Sequence, residues 1–259
     1  LLFCLPGISF AEDIVLNAGQ GARLPAIALI IDDLGYTSTP GKRAISLPGP
    51  VAMSFLPAGK HTAELARLAH ENDKEVMLHL PMQAVGQKAS HSHAGELMVD
   101  MPQPEFNDTL SRNIAAVPHV SGINNHRGSL LTQTNSNMAW LMQALHDHGE
   151  LFFIDSRTTA ETVAANMART YGIPSASRNV FLDNEPTLQA IRKQFRELVA
   201  RARADGTALA IGHPHPATLA VLTEELPRLA EQGLQLVPVS QLIERQQERS
   251  LAWQESSSR

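Results

Sequence analysis

Short apolar runs recur along this chain, and they limit its fold more than any other feature. They are Ile27-Ala28-Leu29-Ile30-Ile31, Val51-Ala52-Met53-Ser54-Phe55, Val76-Met77-Leu78, Val120 to Ile123, Leu151-Phe152-Phe153-Ile154, Val180-Phe181-Leu182, Ala208-Leu209-Ala210-Ile211 and Leu234 to Val237. A strand with one wet face alternates apolar and polar residues; a continuous run belongs to a strand buried on both faces, as in a parallel sheet. Between the runs lie helical stripes. Phe106, Leu110 and Ile114 mark one, and Met138, Leu141, Met142 and Leu145 a second, with Ser136 as its expected cap. A third, opened by Pro186, carries Leu188, Ile191, Phe195, Leu198 and Val199; a fourth, opened by Pro216, carries Leu219, Leu222, Leu226 and Leu229 and stops at Gly233. Strand-helix alternation of this kind builds either a parallel barrel or an open doubly wound sheet. No glycine-rich phosphate loop succeeds any run, which argues against a nucleotide-binding sheet.

The 259 residues are enough for one large α/β domain, and the 43% hydrophobic content is that of a soluble globular chain. Net charge is −5 with both signs interspersed, so no basic patch is dense enough to neutralise nucleic-acid phosphates or hold a membrane surface. The stretch Leu1 to Ala11 reads as the end of an export signal, apolar and then Ser9-Phe10-Ala11 as a small-x-small cleavage site. It is too short, and too broken by Pro6 and Gly7, to span a bilayer. Cys4, the sole cysteine, would leave with it, removing disulfides, thiolate metal sites and thiol nucleophiles from the mature protein. The expected organisation is residual signal peptide at 1–11, lead-in at 12–24, one domain at 25–245 and a loose polar tail at 246–259.

The functional signal lies in the polar residues at the exits of these runs. Asp32-Asp33 end the first, His79 the third, Asn124-Asn125-His126 the fourth, Asp155-Ser156-Arg157 the fifth, Asp183-Asn184-Glu185 the sixth and His213-Pro214-His215 the seventh. Singly, each residue reads as a cap, a turn or a surface histidine. Together, in a parallel barrel, they would meet at the C-terminal mouth, where catalytic groups converge from different strands. Two histidines and one carboxylate leave an open position on a divalent ion, the arrangement of catalytic zinc, and a neighbouring carboxylate can take the proton of its water.

These segments also carry a family resemblance. Leu29-Ile30-Ile31-Asp32-Asp33-Leu34-Gly35-Tyr36 is similar to the strand-Asp-Asp signature of NodB-type polysaccharide deacetylases. Met77-Leu78-His79-Leu80-Pro81-Met82, Gly122 to Ser129, Phe153-Ile154-Asp155-Ser156-Arg157-Thr158, Val180-Phe181-Leu182-Asp183 and Ile211-Gly212-His213-Pro214 resemble the divergent branch of that superfamily, the YibQ-like exported proteins. The resemblance implies a distorted parallel (β/α) barrel of seven or eight strands and metal-dependent removal of an acyl group from an amino sugar. It implies Asp32 as base, Asp33 and His79 as metal ligands and His213 as the group that helps the amine leave. The family's second metal histidine, four residues after the first, is here Gln83, and its Arg-Pro-Pro type motif is absent; His126 is expected to replace the missing ligand.

The leading expectation is therefore an exported, zinc-type deacetylase of an envelope polysaccharide or peptidoglycan. Asp33, His79 and His126 would hold the ion, and Asn124, Asn125 or Arg157 would bind the oxyanion or sugar hydroxyls. The second reading is a non-catalytic envelope factor that binds glycan or protein on an inherited enzyme fold. A third is a glycosidase using two carboxylates such as Asp32 and Asp155. The Met82 to Gln103 connection is long enough to border a substrate groove. His91 and His93 within it read most simply as a solvated loop, and His70, His119, His146, His148 and His215 as lying off the mouth. N-terminal sequencing of the exported form should give a chain beginning at Glu12; a cytoplasmic protein retaining Leu1 to Ala11 would refute the export reading.

Overall fold

The computed structural model describes residues 23–257; the predicted signal at 1–11 and nearly all of the 12–24 lead-in lie outside the described residues. In chain order the elements are β1 (Ala26–Leu34), α1 (Ser38–Ile45), β2 (Ala52–Phe55), α2 (Thr62–Glu71), β3 (Val76–Met82), α3 (Gln103–Ala116) and β4 (Val120–Arg127). Then come α4 (Asn135–His148), β5 (Phe152–Asp155), α5 (Ala164–Thr170), β6 (Ser175–Ser177), β7 (Val180–Phe181) and α6 (Leu188–Asp205). The last are β8 (Thr207–Gly212), α7 (Pro216–Glu225), β9 (Gln235–Leu236) and α8 (Val239–Ser257). Among the described residues, no helix is long and apolar enough to cross a membrane.

All strand pairs are parallel, in the order β6-β5-β4-β3-β2-β1-β8-β7, with β9 beside the start of β1. The two ends of that order are neighbours in sequence, joined by Arg178 and Asn179. Arg178 N donates to Asp155 O of β5 at 3.0 Å, and Asn179 N donates to Leu209 O of β8 at 2.9 Å. One extended stretch, 175–181, thus pairs with β5 through its first half and β8 through its second. The parallel sheet closes into a distorted (β/α) barrel through a single shared stave.

Strand alternation sorts side chains into two layers. Ile27, Leu29 and Ile31 of β1 face outward into the large core beneath the helices, with Phe55, Leu78, Phe153 and Leu198. Ala26, Ala28 and Ile30 face the barrel interior with Ala52, Met77, Ile154, Leu209 and Ile211. Many of these inner residues are small, because the interior of a narrow barrel has little room. Val239, Leu242 and Ile243 of α8 join this inner cluster and plug the end opposite the mouth.

Four local expectations are revised. The tail expected to be loose is helical over its described part, 246–257: α8 continues to Ser257, tied by Gln246 Nε2 to Thr207 Oγ1 (3.2 Å) and by Arg249 to the carbonyl of Asp205. Leu188 is exposed rather than part of the α6 stripe, since Thr187 caps the helix by accepting from Ala190 N at 3.2 Å and Pro186 lies outside it. Thr134, not Ser136, occupies the N-cap of α4. β6 escapes an apolar-run reading because its sequence is Ser-Ala-Ser; only its backbone ladder to β5 makes it a strand.

Gly122 shows how tightly the interior is filled. A Cβ placed there would lie 2.2 Å from the ring of Phe152, itself buried in the barrel interior. Gly122→Val should therefore destabilise the protein by about 1–3 kcal/mol, the usual cost of overpacking, measured by chemical denaturation.

Candidate functional site

The site is the mouth-side layer of the barrel interior. On β1 the inward series Ala26, Ala28, Ile30 continues to Asp32, on β2 Ala52 continues to Ser54, and on β3 Met77 continues to His79. On β4 Gly122 continues to Asn124, after β5 Ile154 continues to Ser156, and after β8 Ile211 continues to His213. The apolar lining thus gives way to polar groups one inward position from the mouth. His79, Asn124, Asn125 and His126 lie within their strands rather than after them, since β3 and β4 run on past their apolar segments.

Asp33 breaks the alternation. A residue next to an inward Asp32 should face outward, but Asp33 has φ 59°, in the left-handed region that side chains rarely occupy. The register of β1 on β2 also slips between Ile31 and Leu34, as in a β-bulge. The two together turn the Asp33 carboxylate back over the mouth. Arg127 and Arg157, at two other strand exits, share positive φ (54° and 50°).

Asp33 Oδ1 lies 3.3 Å from His79 Nε2 and 3.1 Å from His126 Nδ1, and the two imidazole nitrogens are 3.1 Å apart. Asp33 Oδ1 is sealed from solvent and makes no well-directed hydrogen bond. Three ligand atoms about 2.0–2.1 Å from one divalent ion, at tetrahedral to octahedral angles, stand about 2.9–3.4 Å apart. The observed triangle fits that requirement, and its donor set of one carboxylate and two imidazoles suits zinc. Burial pushes the Asp33 carboxyl up, but the imidazoles of His126 and His79 outweigh it and hold the group far below the usual carboxylate range. Burial lowers His126, whereas on His79 the charges of Asp32 and Asp33 overcome burial and raise it.

Two groups flank the triangle. Asp32 is 2% exposed, with Oδ2 3.6 Å from His79 Nε2; burial raises its pKa. Its oxygens accept from Asn124 Nδ2 at 2.9 and 3.0 Å. Asn124 Oδ1 in turn accepts from Ser54 Oγ (2.6 Å) and stands 3.0 Å from His79 Nδ1. That contact assigns the His79 proton to Nδ1 and leaves the Nε2 lone pair facing the triangle. On the other side, His213 Nε2 lies 3.7 Å from Asp33 Oδ2. Its Nδ1 is 2.9 Å from Asp183 Oδ1, while Asp183 Oδ2 accepts from His213 N and Thr218 Oγ1, each at 2.7 Å. Burial lowers the His213 pKa, but the Asp183 carboxylate more than compensates and raises it. Asp183, His213 and His215 have ligand atoms within 4.8 Å of one another, yet both Asp183 oxygens are already committed to orienting His213.

The structure thus brings Asp32, Asp33, His79, His126 and His213 together and assigns other expected residues elsewhere. Asp155, expected as a catalytic carboxylate, is engaged in structure: buried, it accepts from Arg157 N (2.8 Å) and Thr162 Oγ1 (3.0 Å) and fastens the loop after β5. Both oxygens of Asp155, the second carboxylate named for a glycosidase, are thus occupied within the loop. Asn124 and Asn125 are 0% and 1% exposed and cannot reach a sugar; Asn125 accepts from Ser156 N and donates to Arg127 O, tying β4 to the same loop. The Arg157 side chain is exposed at the rim. Gln83 makes no contact with the triangle, because its amide holds Val99 N (2.9 Å) and Gln87 O (3.3 Å) of the long connection. That connection does border the site. His93, discounted in sequence, lies 3.0 Å from Arg127 and joins Tyr36, Pro81 and His126 around a cavity of about 190 Å³. Asp183, expected only as one of the polar exits, is the residue that orients His213, and Ser54 and Thr218 join the site without any expectation from sequence; a serine inside a fully buried run is the signal for Ser54. Asp155→Ala should cost about 1–3 kcal/mol of stability, read by denaturant titration; lost activity with unchanged stability would restore Asp155 as a catalytic residue.

The sequence signature of the divergent polysaccharide deacetylases matches residues 29–243. The chain is 35% identical over 217 residues to YibQ of Escherichia coli (strain K12), covering 84% of this chain and 67% of that protein. Among solved structures it is similar to uncharacterized protein ATU2773 from Agrobacterium tumefaciens C58, with TM-score 0.82, 24% identity, and 86% and 91% of the two chains covered. It also shares the fold of BA3943 from Bacillus anthracis, a CE4 family pseudoenzyme, in a mutant with restored enzymatic activity (TM-score 0.53, 15% identity, 85% and 68% covered). With the signature spanning the barrel from β1 into α8, this chain belongs to the divergent polysaccharide deacetylase family.

Proposed function

We propose that this chain is an exported, zinc-dependent hydrolase that removes acetyl groups from N-acetylated amino sugars of an envelope polysaccharide or peptidoglycan. The observation that carries the reading is the triangle of Asp33, His79 and His126 set between a buried carboxylate and a carboxylate-oriented imidazole. Support for export is the apolar stretch that ends in Ser9-Phe10-Ala11.

Asp33, His79 and His126 would hold the ion, which when bound would polarise the acetamide carbonyl and lower the pKa of water. The residues of the chain do the rest. Asp32, fixed by Asn124 and raised in pKa by burial, accepts the proton of the attacking water as the water oxygen bonds to the carbonyl carbon. His213, oriented by Asp183, whose carboxylate outweighs burial and raises its pKa, delivers an Nε2 proton to the amide nitrogen as the C–N bond breaks. The products are acetate and a free amine; the base lies against His79 and the acid against Asp33.

Three variants test this. His79→Ala and His126→Ala should each lose stoichiometric zinc, measured by elemental analysis of tag-free protein purified without chelator. Asp32→Asn should keep the ion and lower acetate release from an N-acetylglucosamine oligomer by at least about 10²-fold. Wild-type protein that binds zinc stoichiometrically but releases no acetate from oligomer or peptidoglycan would refute the enzyme and favour a glycan-binding factor.

A further inference from the structure

A second concavity lies along the barrel seam. It is a groove of about 610 Å³ between the stretch that closes the barrel and α6. Arg178, Lys193, Arg196 and Arg201 line it, and Glu197 is the acid among them. Glu197 is taken by Arg201, Nε to Oε1 at 2.8 Å. Lys193 and Arg196 are exposed and have no ion-pair partner among the described residues.

Exposed lysines and arginines on a helix are ordinarily a solvated face. Arg178 sets this groove apart. It is half-buried, its Nε donates to Ser156 O at 2.6 Å and its Nη2 to Arg157 O at 2.9 Å, and no described carboxylate forms an ion pair with it. Carbonyl oxygens orient a guanidinium but do not neutralise it, and burial disfavours its charge. Asp155 and Asp32 act on Arg178 only through space, and in a chain of net charge −5 three cations without an ion-pair partner among the described residues, gathered in one groove, make a local positive field that attracts anions.

The groove is joined to the mouth. The Arg178 guanidinium lies over the Phe181 ring, 5.0 Å from its centroid, and the same ring stands 5.2 Å from the imidazole of His213. A sugar chain whose amide nitrogen is at His213 would therefore send its continuation past Phe181 toward these cations. We propose that the seam groove is a subsite for a negatively charged substituent, carboxylate or phosphate, on the glycan, with Arg178, Lys193 and Arg196 as its cations. The substrate class is then an anionic N-acetylated polysaccharide rather than a neutral one. The link to substrate rests on the deacetylase reading; the anion site itself does not.

The test is calorimetric binding to the full chain and to a K193E/R196E variant, whose changes are on exposed positions and should leave the melting temperature unchanged. Three ligands are compared: peptide-free peptidoglycan strands with free lactyl carboxylates, an N-acetylglucosamine oligomer bearing a phosphate, and neutral hexa-N-acetylchitohexaose. At least one anionic ligand should bind more tightly than the neutral one, weaken as salt is raised, and lose roughly tenfold in affinity in the variant. The anionic ligand that responds names the substituent. Binding of all three that is equal, or equally weakened by the variant, would overturn the proposal. A salt-sensitive anion preference without acetate release would refute the deacetylase reading and leave the subsite standing.

Discussion

A carboxylate with 2% exposure inside a barrel cannot be tolerated without hydrogen bonds, because its burial would otherwise cost several kcal/mol. Asn124 meets that demand across the barrel from Asp32, and the arrangement of the mouth depends on it. One amide donates to Asp32, accepts from Ser54 and faces His79, joining β1, β2, β3 and β4 through a single fully buried side chain. The same contacts orient the proposed base, fix the tautomer of an imidazole and satisfy the polar groups that the narrow interior encloses.

The rest of the barrel serves to hold that layer still. Small inner residues allow the strands to curl closely, the first residues of α8 seal the far end, and the shared stave at 175–181 joins the two edges. The stave also carries Arg178 to the rim and leads through Phe181 to Asp183, so one short segment supplies the closure of the barrel and part of its charge distribution. The bulge near Asp33 is a local departure from regular sheet at the place where two adjacent carboxylates must face the same way.

This division explains why fold and activity can separate in such proteins. The barrel core is held by apolar layers that do not involve the triangle, so an inactive member can keep the fold; BA3943, a pseudoenzyme that shares it, has a mutant with restored activity. In the present chain Gln83, four residues after His79, supplies no imidazole to the mouth; His126 approaches from the neighbouring strand, whose Asn124 is in register with His79.

The parallel architecture was legible in the apolar runs, because burial on both faces forces continuity, and the polar exits were legible because a parallel barrel gathers strand ends at one rim. Asp32, Asp33, His79, His126 and His213 could be picked from that pattern and from the family resemblance. The sequence could not separate Asp155 from them, since a carboxylate after a strand looks the same whether it faces the mouth or caps a loop; only the positions of Arg157 N and Thr162 decide it. Nor could it show that Asn124 and Asn125 are buried struts, that His93 folds over to the rim, or that Ser-Ala-Ser is a strand. Hydrophobic periodicity records which residues leave water, and it is local. Which polar group meets which is set by register, backbone twist and closure, and those exist only once distant segments have packed.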